Sequence, residues 1–323
     1  MTEPDATSAP ATDSMTVPAR PRALVLLATF NGGRWIRHQL SSVLAQKGVN
    51  VQIDVRDDGS TDDTRAIVAD IATRDSRVRL SPEHISSGSA AGNFFRLVAN
   101  ADVSGVDVVA FCDQDDEWMD DKLARAVSCL IEQGADGYSA AVQAKWESGR
   151  VKALSQRSDQ RSADYLFEGA GQGCTFVMTA ALFTTVQGAL SFASGRLPSV
   201  HYHDWLAYAI ARSLGRSWHF DPRAVMTYHQ HAGNDTGARG SMAGVARRLD
   251  LIRSGWYERQ VDAVVAVVRH VNPSDPNASR WHELRSKTTP AGWASRLVFV
   301  LRHGRRRLSD RVILGLAVLT GHL

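Results

Sequence analysis

No run of apolar residues in the sequence reaches the eighteen or so that a membrane-spanning helix needs, so no stretch reads as a bilayer span. Neither G-x-G-x-x-G nor G-x-x-x-x-G-K-[ST] follows the first apolar run, which argues against a dinucleotide oxidoreductase and against a P-loop nucleotide hydrolase. Cysteine is scarce. Cys112, Cys129 and Cys174 form neither a C-x-x-C pair nor an even set, so a disulfide framework is not expected and a reducing, cytoplasmic setting is. Charge of one sign is also missing: 37 basic against 34 acidic residues leave +3, too little and too scattered for a nucleic-acid partner, apart from one cluster near the C-terminus. Residues 1–20 have almost no large apolar side chains and are expected to form a disordered tail. Glu3, Asp5 and Asp13 stand where a secretory signal would be positive, so that tail is not expected to be one. There is no internal repeat.

What remains is ample for one large domain with an appendage, since 323 residues can bury a sizeable core. The stretch that organises the chain is Val106 to Trp118, V-D-V-V-A-F-C-D-Q-D-D-E-W. A β-branched and aromatic run, the pattern of a buried strand, ends there in Asp113-Gln114-Asp115-Asp116-Glu117. Carboxylates so close together repel and raise one another's pKa unless a cation sits among them, which points to a divalent metal with oxygen ligands. A solvated acidic loop is the plainer alternative.

The chain before it repeats one rhythm. Ala23 to Ala28 is a continuous apolar run ending at Thr29-Phe30-Asn31-Gly32-Gly33. Ile36, Leu40, Val43 and Leu44 have helical spacing, with Gly48 as the expected C-terminal cap. Val51, Ile53 and Val55 alternate into Asp57-Asp58-Gly59-Ser60, and Ser60 with Asp63 resembles a capping box for a helix through Ile67 and Ile71. Val78 to Leu80 is a short third strand, and Asn93 to Ala101 the next helix. After the acidic strand, Asp120 is placed to cap a helix with Leu123, Ala126, Val127, Leu130 and Ile131 on its apolar side and Gly134 at its end. Strands and helices in alternation predict an α/β chain with a mostly parallel central sheet and helices on both faces. Ligands bind such sheets beyond the carboxyl ends of the strands, which gathers Thr29, Asn31, Asp57, Asp58 and Asp113 to Asp116 at one crevice.

The order of these motifs resembles the family 2 glycosyltransferases. The matching pieces are A-T-F-N-G-G (28–33), R-D-D-G-S-T-D (56–62), G-S-A-A-G-N-F (88–94), F-C-D-Q-D-D-E-W (111–118), G-C-T (173–175), H-D-W (203–205) and Y-H-Q-H-A-G-N (228–234). They are most similar to the bacterial rhamnosyltransferase branch, from which Ala232 and Asp120 depart where glycine and proline are usual. The resemblance implies a GT-A-type nucleotide-diphospho-sugar transferase fold over 21–240, with 241–323 as a C-terminal helical extension. It also implies an inverting, metal-dependent transfer to a glycan or glycolipid acceptor in cell-surface polysaccharide synthesis. The donor would be a dTDP- or UDP-sugar, with L-rhamnose from dTDP-rhamnose the favoured choice.

Matched positions then suggest roles. Asp113 and Asp115 correspond to the family's D-x-D and would hold Mg²⁺ or Mn²⁺, with a divalent ion stabilising charge on the leaving diphosphate. Thr29, Asn31, Asn93 and Gln114 would line the donor pocket, where Asp57 or Asp58 would accept the imide N–H of the base. Asp204, before a helix whose positive end favours its ionised form, is the candidate base that takes the acceptor's proton; the alternative is a simple helix cap. Asp116, Trp118, Gly173, Cys174, His203 and Trp205 would shape the acceptor or sugar pocket, Cys174 as a small buried residue rather than a nucleophile. His231 would meet the metal or the diphosphate, or else sit in a glycine-containing surface turn.

Two rival readings stand beside this one: a metallohydrolase built on His201, His203 and Asp204 with His229 or His231, and a catalytically inactive sugar-binding module. Further on, Val245, Leu249, Ile252, Trp256, Val261, Val264, Val265 and Val268 suggest one or two helices, and Asn272 to Ser279 a break. The apolar runs 296–301 and 312–319 flank Arg302, His303, Arg305, Arg306, Arg307 and Arg311. These would either rest peripherally on the inner face of the plasma membrane or pack as a solvated basic helix.

Overall fold

A computed structural model describes residues 20–83, 85–155, 158–230 and 250–323. The N-terminal tail apart from Arg20, together with His231, Val245 and Leu249, lies outside them. The apolar runs form β1 (Arg22–Thr29), β2 (Asn50–Asp57), β3 (Val78–Leu80) and β4 (Val108–Cys112), with α1 (Ile36–Leu44), α2 (Thr64–Arg74) and α3 (Ala90–Asn100) between them. Then follow β5 (Asp116–Trp118), α4 (Lys122–Gln133), β6 (Gly137–Trp146), β7 (Val151–Leu154), β8 (Val177–Thr179), α5 (Ala180–Phe192), α6 (His203–Ser213) and β9 (Trp218–Gln230).

The strands join one sheet in the order β3-β2-β1-β4-β8-β6-β9-β5, with β7 added to β6. From β3 to β4 every pairing is parallel, as the alternation of strands and helices requires. Beyond β4 the sheet is mixed. β8 runs antiparallel to β4 and β6, β7 to β6, and β5 to β9, while β6 and β9 are parallel. The mostly parallel sheet expected from sequence is therefore its first half, because the second half is not built from strand–helix repeats.

Side chains alternate across β1. Ala23, Val25 and Leu27 enter a core with Ile36 and Leu40 of α1, Val68 of α2 and Leu123, Ala126 and Leu130 of α4. Leu24, Leu26 and Ala28 enter a second core on the opposite face, with Phe94 and Leu97 of α3, Leu182 and Phe183 of α5, and Leu206 and Ile210 of α6.

That second core continues into α7 (Trp256–Val271), α8 (Pro276–Ser286), α9 (Pro290–His303) and α10 (Leu308–Leu319), which contribute Val261, Val264, Trp281, Val300 and Val318. The expected break after α7 is shorter than proline alone suggested. Asp275 caps α8 by accepting the Ala278 N–H at 2.7 Å, and Pro276 occupies the first turn, where a missing N–H costs nothing.

Other local expectations are corrected. Ser60 and Asp63 form no capping box: the Ser60 hydroxyl donates to Asp57, and Asp62 accepts the Thr64 N–H at 3.1 Å at the start of α2. Asp120 pairs with Lys47 at 2.6 Å, and α4 begins after Asp121. Ile131 faces solvent, whereas Gly134 ends α4 in the left-handed region at φ +56° as expected. Gly48, at φ +74°, lies beyond the end of α1, whose cap is Ala45.

Candidate active site

The carboxyl ends of β1, β2 and β4 are tied into one frame by the residues expected to line a donor pocket. The Thr29 hydroxyl donates to Gln114 Oε1 at 2.6 Å, the Phe30 N–H donates to the same oxygen at 2.8 Å, and Gln114 Nε2 donates to the Phe30 carbonyl at 3.0 Å. A Cβ on Gly32 would fall 2.1 Å from that Oε1, so only glycine allows this approach. Asn31, at φ +48°, accepts the Thr61 N–H at 2.9 Å. Asn93 accepts from Arg56 Nη1 at 2.8 Å and donates to the carbonyls of Thr29 and Arg56 at 3.2 and 3.3 Å. Its polar atoms hold the strand ends together rather than pointing into the crevice.

Asp57 and Asp58 are both buried, but their engagements differ. Asp57 is held within its own turn by the N–H and hydroxyl of Ser60. Asp58 Oδ1 accepts from Arg56 Nη1 and from the Ser87 N–H, each at 2.7 Å, while its Oδ2 accepts the longer bond of the Ser86 hydroxyl, at 3.3 Å. Burial pushes the Asp58 carboxyl up, yet the hydrogen bonds from Arg56 and Ser87 outweigh it and hold the group below its ordinary value. Arg56 is itself 1% exposed, and the Ile85 carbonyl accepts from its Nη2 at 2.6 Å. Sequence reading passed over this arginine, although its place at the head of R-D-D-G-S marked it.

The acidic cluster is split between two elements. Asp113 follows β4, and Asp116 opens β5, paired with Tyr228 of β9. Among the described residues, Asp113, Asp116 and Cys174 bring ligand atoms within 4.8 Å of one another. Asp115, expected as the second ligand, is outside that group, but its charge is felt by both acids. Burial, then the charges of Asp115 and Asp204, push Asp113 up to about 7. Burial and the charges of Asp115 and Asp113 raise Asp116 well above its usual range. Asp116 is 2% exposed, and among the described residues its oxygens meet no donor of good geometry, the Cys174 thiol alone bearing on them. A buried carboxylate so poorly supplied with donors calls for a cation. The Cys174 thiol is driven up by burial and by these acids, so it stays protonated and leaves a set of oxygen donors that suits Mg²⁺ or Mn²⁺.

Beneath the cluster lies a cation that sequence reading missed. Lys122, fully buried, donates from Nζ to the Cys174 carbonyl at 2.8 Å and sits 3.0 Å above the centre of the Trp118 ring. Burial pulls it down to about 8, against the neighbouring thiols and acids that favour its charge. Lys122, Ala126, Cys129 and Leu130 fall at i, i+4, i+7 and i+8, so the apolar stripe of α4 pointed to a buried lysine.

The opposite wall comes from α6. Asp204 stands within its first turn rather than before it, accepting the Trp205 N–H at 2.7 Å. Burial raises its carboxyl to about 6, opposed by backbone N–H groups including that of Gly173. A Cβ on Gly173 would lie 2.8 Å from Asp204 Cβ, so this turn touches Asp204 because it has no side chain. Trp205, 5% exposed, donates from Nε1 to the Tyr165 carbonyl at 2.8 Å, and Trp118 is 4% exposed. Both tryptophans brace the walls from behind. His203 stacks on Phe94 with ring centres 3.7 Å apart, and burial lowers it to about 3. Neither His203 nor His201 joins a metal-capable group with the acids among the described residues. The expectation for His231 falls outside them.

A sheet whose strand ends carry an acid cluster facing a lone helical carboxylate is the arrangement of a nucleotide-sugar transferase, and similarity to known proteins agrees. The glycosyl transferase family 2 profile matches residues 24–184. The dTDP-rhamnosyl transferase RfbG of Shigella flexneri is 35% identical over 239 residues, 74% of this chain and 83% of that protein. WfgD of Escherichia coli, a UDP-Glc:α-D-GlcNAc-diphosphoundecaprenol β-1,3-glucosyltransferase, is 28% identical over 57% of this chain and 68% of its own. In fold, the chain is similar to S. aureus TarS 1–349 in complex with UDP-GlcNAc, with a TM-score of 0.52 at 16% identity over 93% of this chain and 88% of that one. The chain belongs to the family 2 glycosyltransferases and has the GT-A-like fold, with C-terminal helices added.

Proposed function

We propose that the protein transfers a sugar, with inversion, from a nucleotide-diphosphate donor to a glycan or lipid-linked acceptor in bacterial cell-surface polysaccharide synthesis, working in the cytoplasm at the inner face of the membrane. The observation that carries this reading is the turn that joins Asp204 to the acid cluster: Gly173 lies against Asp204, and the next residue, Cys174, has its sulfur within 4.8 Å of carboxylate oxygens of Asp113 and Asp116. The donor favoured by likeness to RfbG is dTDP-rhamnose.

In the transfer, the acceptor oxygen forms a bond to the anomeric carbon as the bond from that carbon to the diphosphate oxygen breaks. The acceptor proton passes to Asp204, and the electron pair leaves with the nucleoside diphosphate. A carboxyl raised to about 6 is ionised at neutral pH yet more basic than an ordinary aspartate, which suits it to general-base work. Asp113 and Asp116, with Asp115 beside them, would hold a divalent ion; when bound, it supplies positive charge against the diphosphate. Asp58 would accept the imide N–H of the base through Oδ2, its less engaged oxygen. Thr29, Asn31 and Gln114 keep the rim of the pocket in place, and Gly173 sets the position of Asp204.

Thermal melting with a panel of nucleoside diphosphates and nucleotide sugars, with and without Mn²⁺ or Mg²⁺, tests the donor site, because a ligand of the folded state alone raises the midpoint. The expected result is a metal-dependent rise with dTDP or dTDP-rhamnose that is lost in Asp113→Asn. A rise with UDP ligands alone overturns rhamnose and keeps the class. No rise with any nucleotide overturns the donor site, and nucleotide binding without turnover on any acceptor would favour an inactive binding module.

A further inference from the structure

The last two helices turn an apolar face to solvent. On α10, Leu308, Val312, Leu316 and Leu319 recur at i, i+4, i+8 and i+11, which places them on one side, 66%, 48%, 56% and 59% exposed. The neighbouring helix α9 adds Val298 and Leu301, 47% and 36% exposed. A helix resting on a globular domain normally turns charge outward. Here the remaining exposed positions of α10 and its cap are Ser309 and Thr320. The inward side of the hairpin is already filled by Phe299, Val300, Leu314, Ala317 and Val318. The outward leucines are therefore surplus to packing, and contiguous apolar surface of this kind marks an interaction site.

Charge identifies the occupant. Residues 288–323 contain six arginines and a single acid, Asp310, which is 7% exposed. Arg296 and Arg306 are buried, Arg302 is exposed, Arg307 and Arg311 are half-buried, and Arg305 turns its guanidinium into the domain over the Tyr257 ring. The nearest preceding acid, Glu283, is engaged by Arg280 and Lys287. An apolar ridge with a cationic rim and no exposed acid matches an anionic bilayer, hydrocarbon below and phosphate above. A second copy of the chain would set arginine against arginine, a like-charge contact that works against association.

The hairpin is also fastened to the wall that carries Asp204. In the turn after α9, the Arg306 N–H donates to Glu168 at 2.5 Å, its Nη1 to Asp164 at 2.9 Å and its Nη2 to the Gly169 carbonyl at 2.6 Å. Arg305 Nε donates to the Phe167 carbonyl at 3.1 Å. Gly169 in turn approaches the Trp205 backbone so closely that a Cβ there would lie 3.2 Å from Trp205 Cα. We propose that the α9–α10 face seats on an anionic phospholipid surface and, through this fastening, holds the Asp204 side of the active site at a fixed position over the lipid. The inference rests on the proposed function only for the acceptor being lipid-linked; the docking itself is independent of it.

Flotation of the full chain with phosphatidylcholine vesicles, with and without phosphatidylglycerol and at low and high salt, is the test. The expected result is binding to the anionic vesicles at least about tenfold tighter than to the neutral ones, weakened by salt. The double variant Leu308→Ser/Leu316→Ser should bind at least about tenfold more weakly, with unchanged circular dichroism and nucleotide-induced stabilisation. Failure of the wild type to float, or equal flotation of the double variant, overturns the proposal. A wild-type dimer that the double variant dissociates, with no flotation of either, makes the face a protein interface instead. Lost nucleotide stabilisation with intact flotation would count against the donor site alone.

Discussion

Asp113 and Asp204 are both raised chiefly by burial, and each charge bears on the other, but their remaining neighbours differ. Asp113 is pressed by Asp115 and Asp204, whereas Asp204 is steadied by backbone N–H groups at the start of α6. That difference separates a ligand of a cation from a base, and it makes Asp204 depend on how closely Gly173 approaches. Gly173→Ala places a methyl carbon 2.8 Å from Asp204 Cβ, closer than two carbons pack, so the carboxylate must shift. Displacing a catalytic group by about an ångström costs up to roughly a hundredfold in rate. Gly173→Ala should therefore lower kcat on that scale while nucleotide affinity holds. Asp204→Asn should lower kcat by about 10²- to 10⁴-fold, the usual worth of a general base, again without weakening the donor. Steady-state kinetics beside nucleotide titration checks both, and a loss of donor affinity as large as the loss of rate would place Asp204 in the donor pocket instead.

At the scale of elements, Asp221 joins α4 to the second half of the sheet. From β9 it accepts from Arg125 Nε and Nη2 at 2.5 and 2.8 Å, from the Tyr138 hydroxyl of β6 at 2.8 Å and from the Arg223 N–H at 3.0 Å. Burial pushes its carboxyl up, but these donors prevail and hold it below the ordinary value. A carboxyl depressed in the folded state stabilises fully above its unfolded pKa, near 3.9, and that stabilisation is lost as pH falls through the folded value. Asp221→Asn should cost about 3 kcal/mol at neutral pH, because it leaves Arg125 without its counter-charge. It should also flatten the acid limb of stability below about pH 4, read from urea midpoints across pH. An unchanged acid limb would show that other carboxylates govern it.

The same elements show where sequence is readable. β1, β2 and β4 are β-branched or leucine-rich runs ending in polar motifs, so their place and the crevice at their ends could be read directly. β6 is Gly-Tyr-Ser-Ala-Ala-Val-Gln-Ala-Lys-Trp, with little of the β-branched signal of a central strand. β9 carries Pro222 at a register shift against Ala140 and Ala141 of β6, the kind of irregularity at which a strand tolerates proline. Both strands are held by tertiary pairing, which no local window reveals. Asn93 and Gln114 were expected to line a donor pocket, and their amides tie strand ends together, a role decided by partners 64 and 85 residues away.

Considered as a whole, the molecule does not divide where its motifs stop. The sequence motifs end near residue 234, and 241 was the expected start of an extension, but the core beneath α3, α5 and α6 is closed by Val261, Val264, Trp281, Val300 and Val318 from the C-terminal helices. Its polar centre is shared as well. Asp164, wholly buried, accepts from Arg212 of α6 at 3.0 Å, from Arg306 at 2.9 Å and from the Tyr208 hydroxyl at 3.2 Å. Sharing the second core and one buried ion network, the two parts should unfold together, as a single cooperative transition by calorimetry and by fluorescence. Arg306→Met removes a cation that Asp164 and Glu168 both face, and breaking a buried pair from one side costs about 3–5 kcal/mol. Because the core is continuous, that loss should lower the one midpoint without splitting it. A chain ending at residue 249 should fail to fold, since it leaves the apolar sides of α5 and α6 uncovered. A soluble, cooperatively melting 20–249 fragment, or two separate transitions in the full chain, would restore the helical segment as a domain of its own.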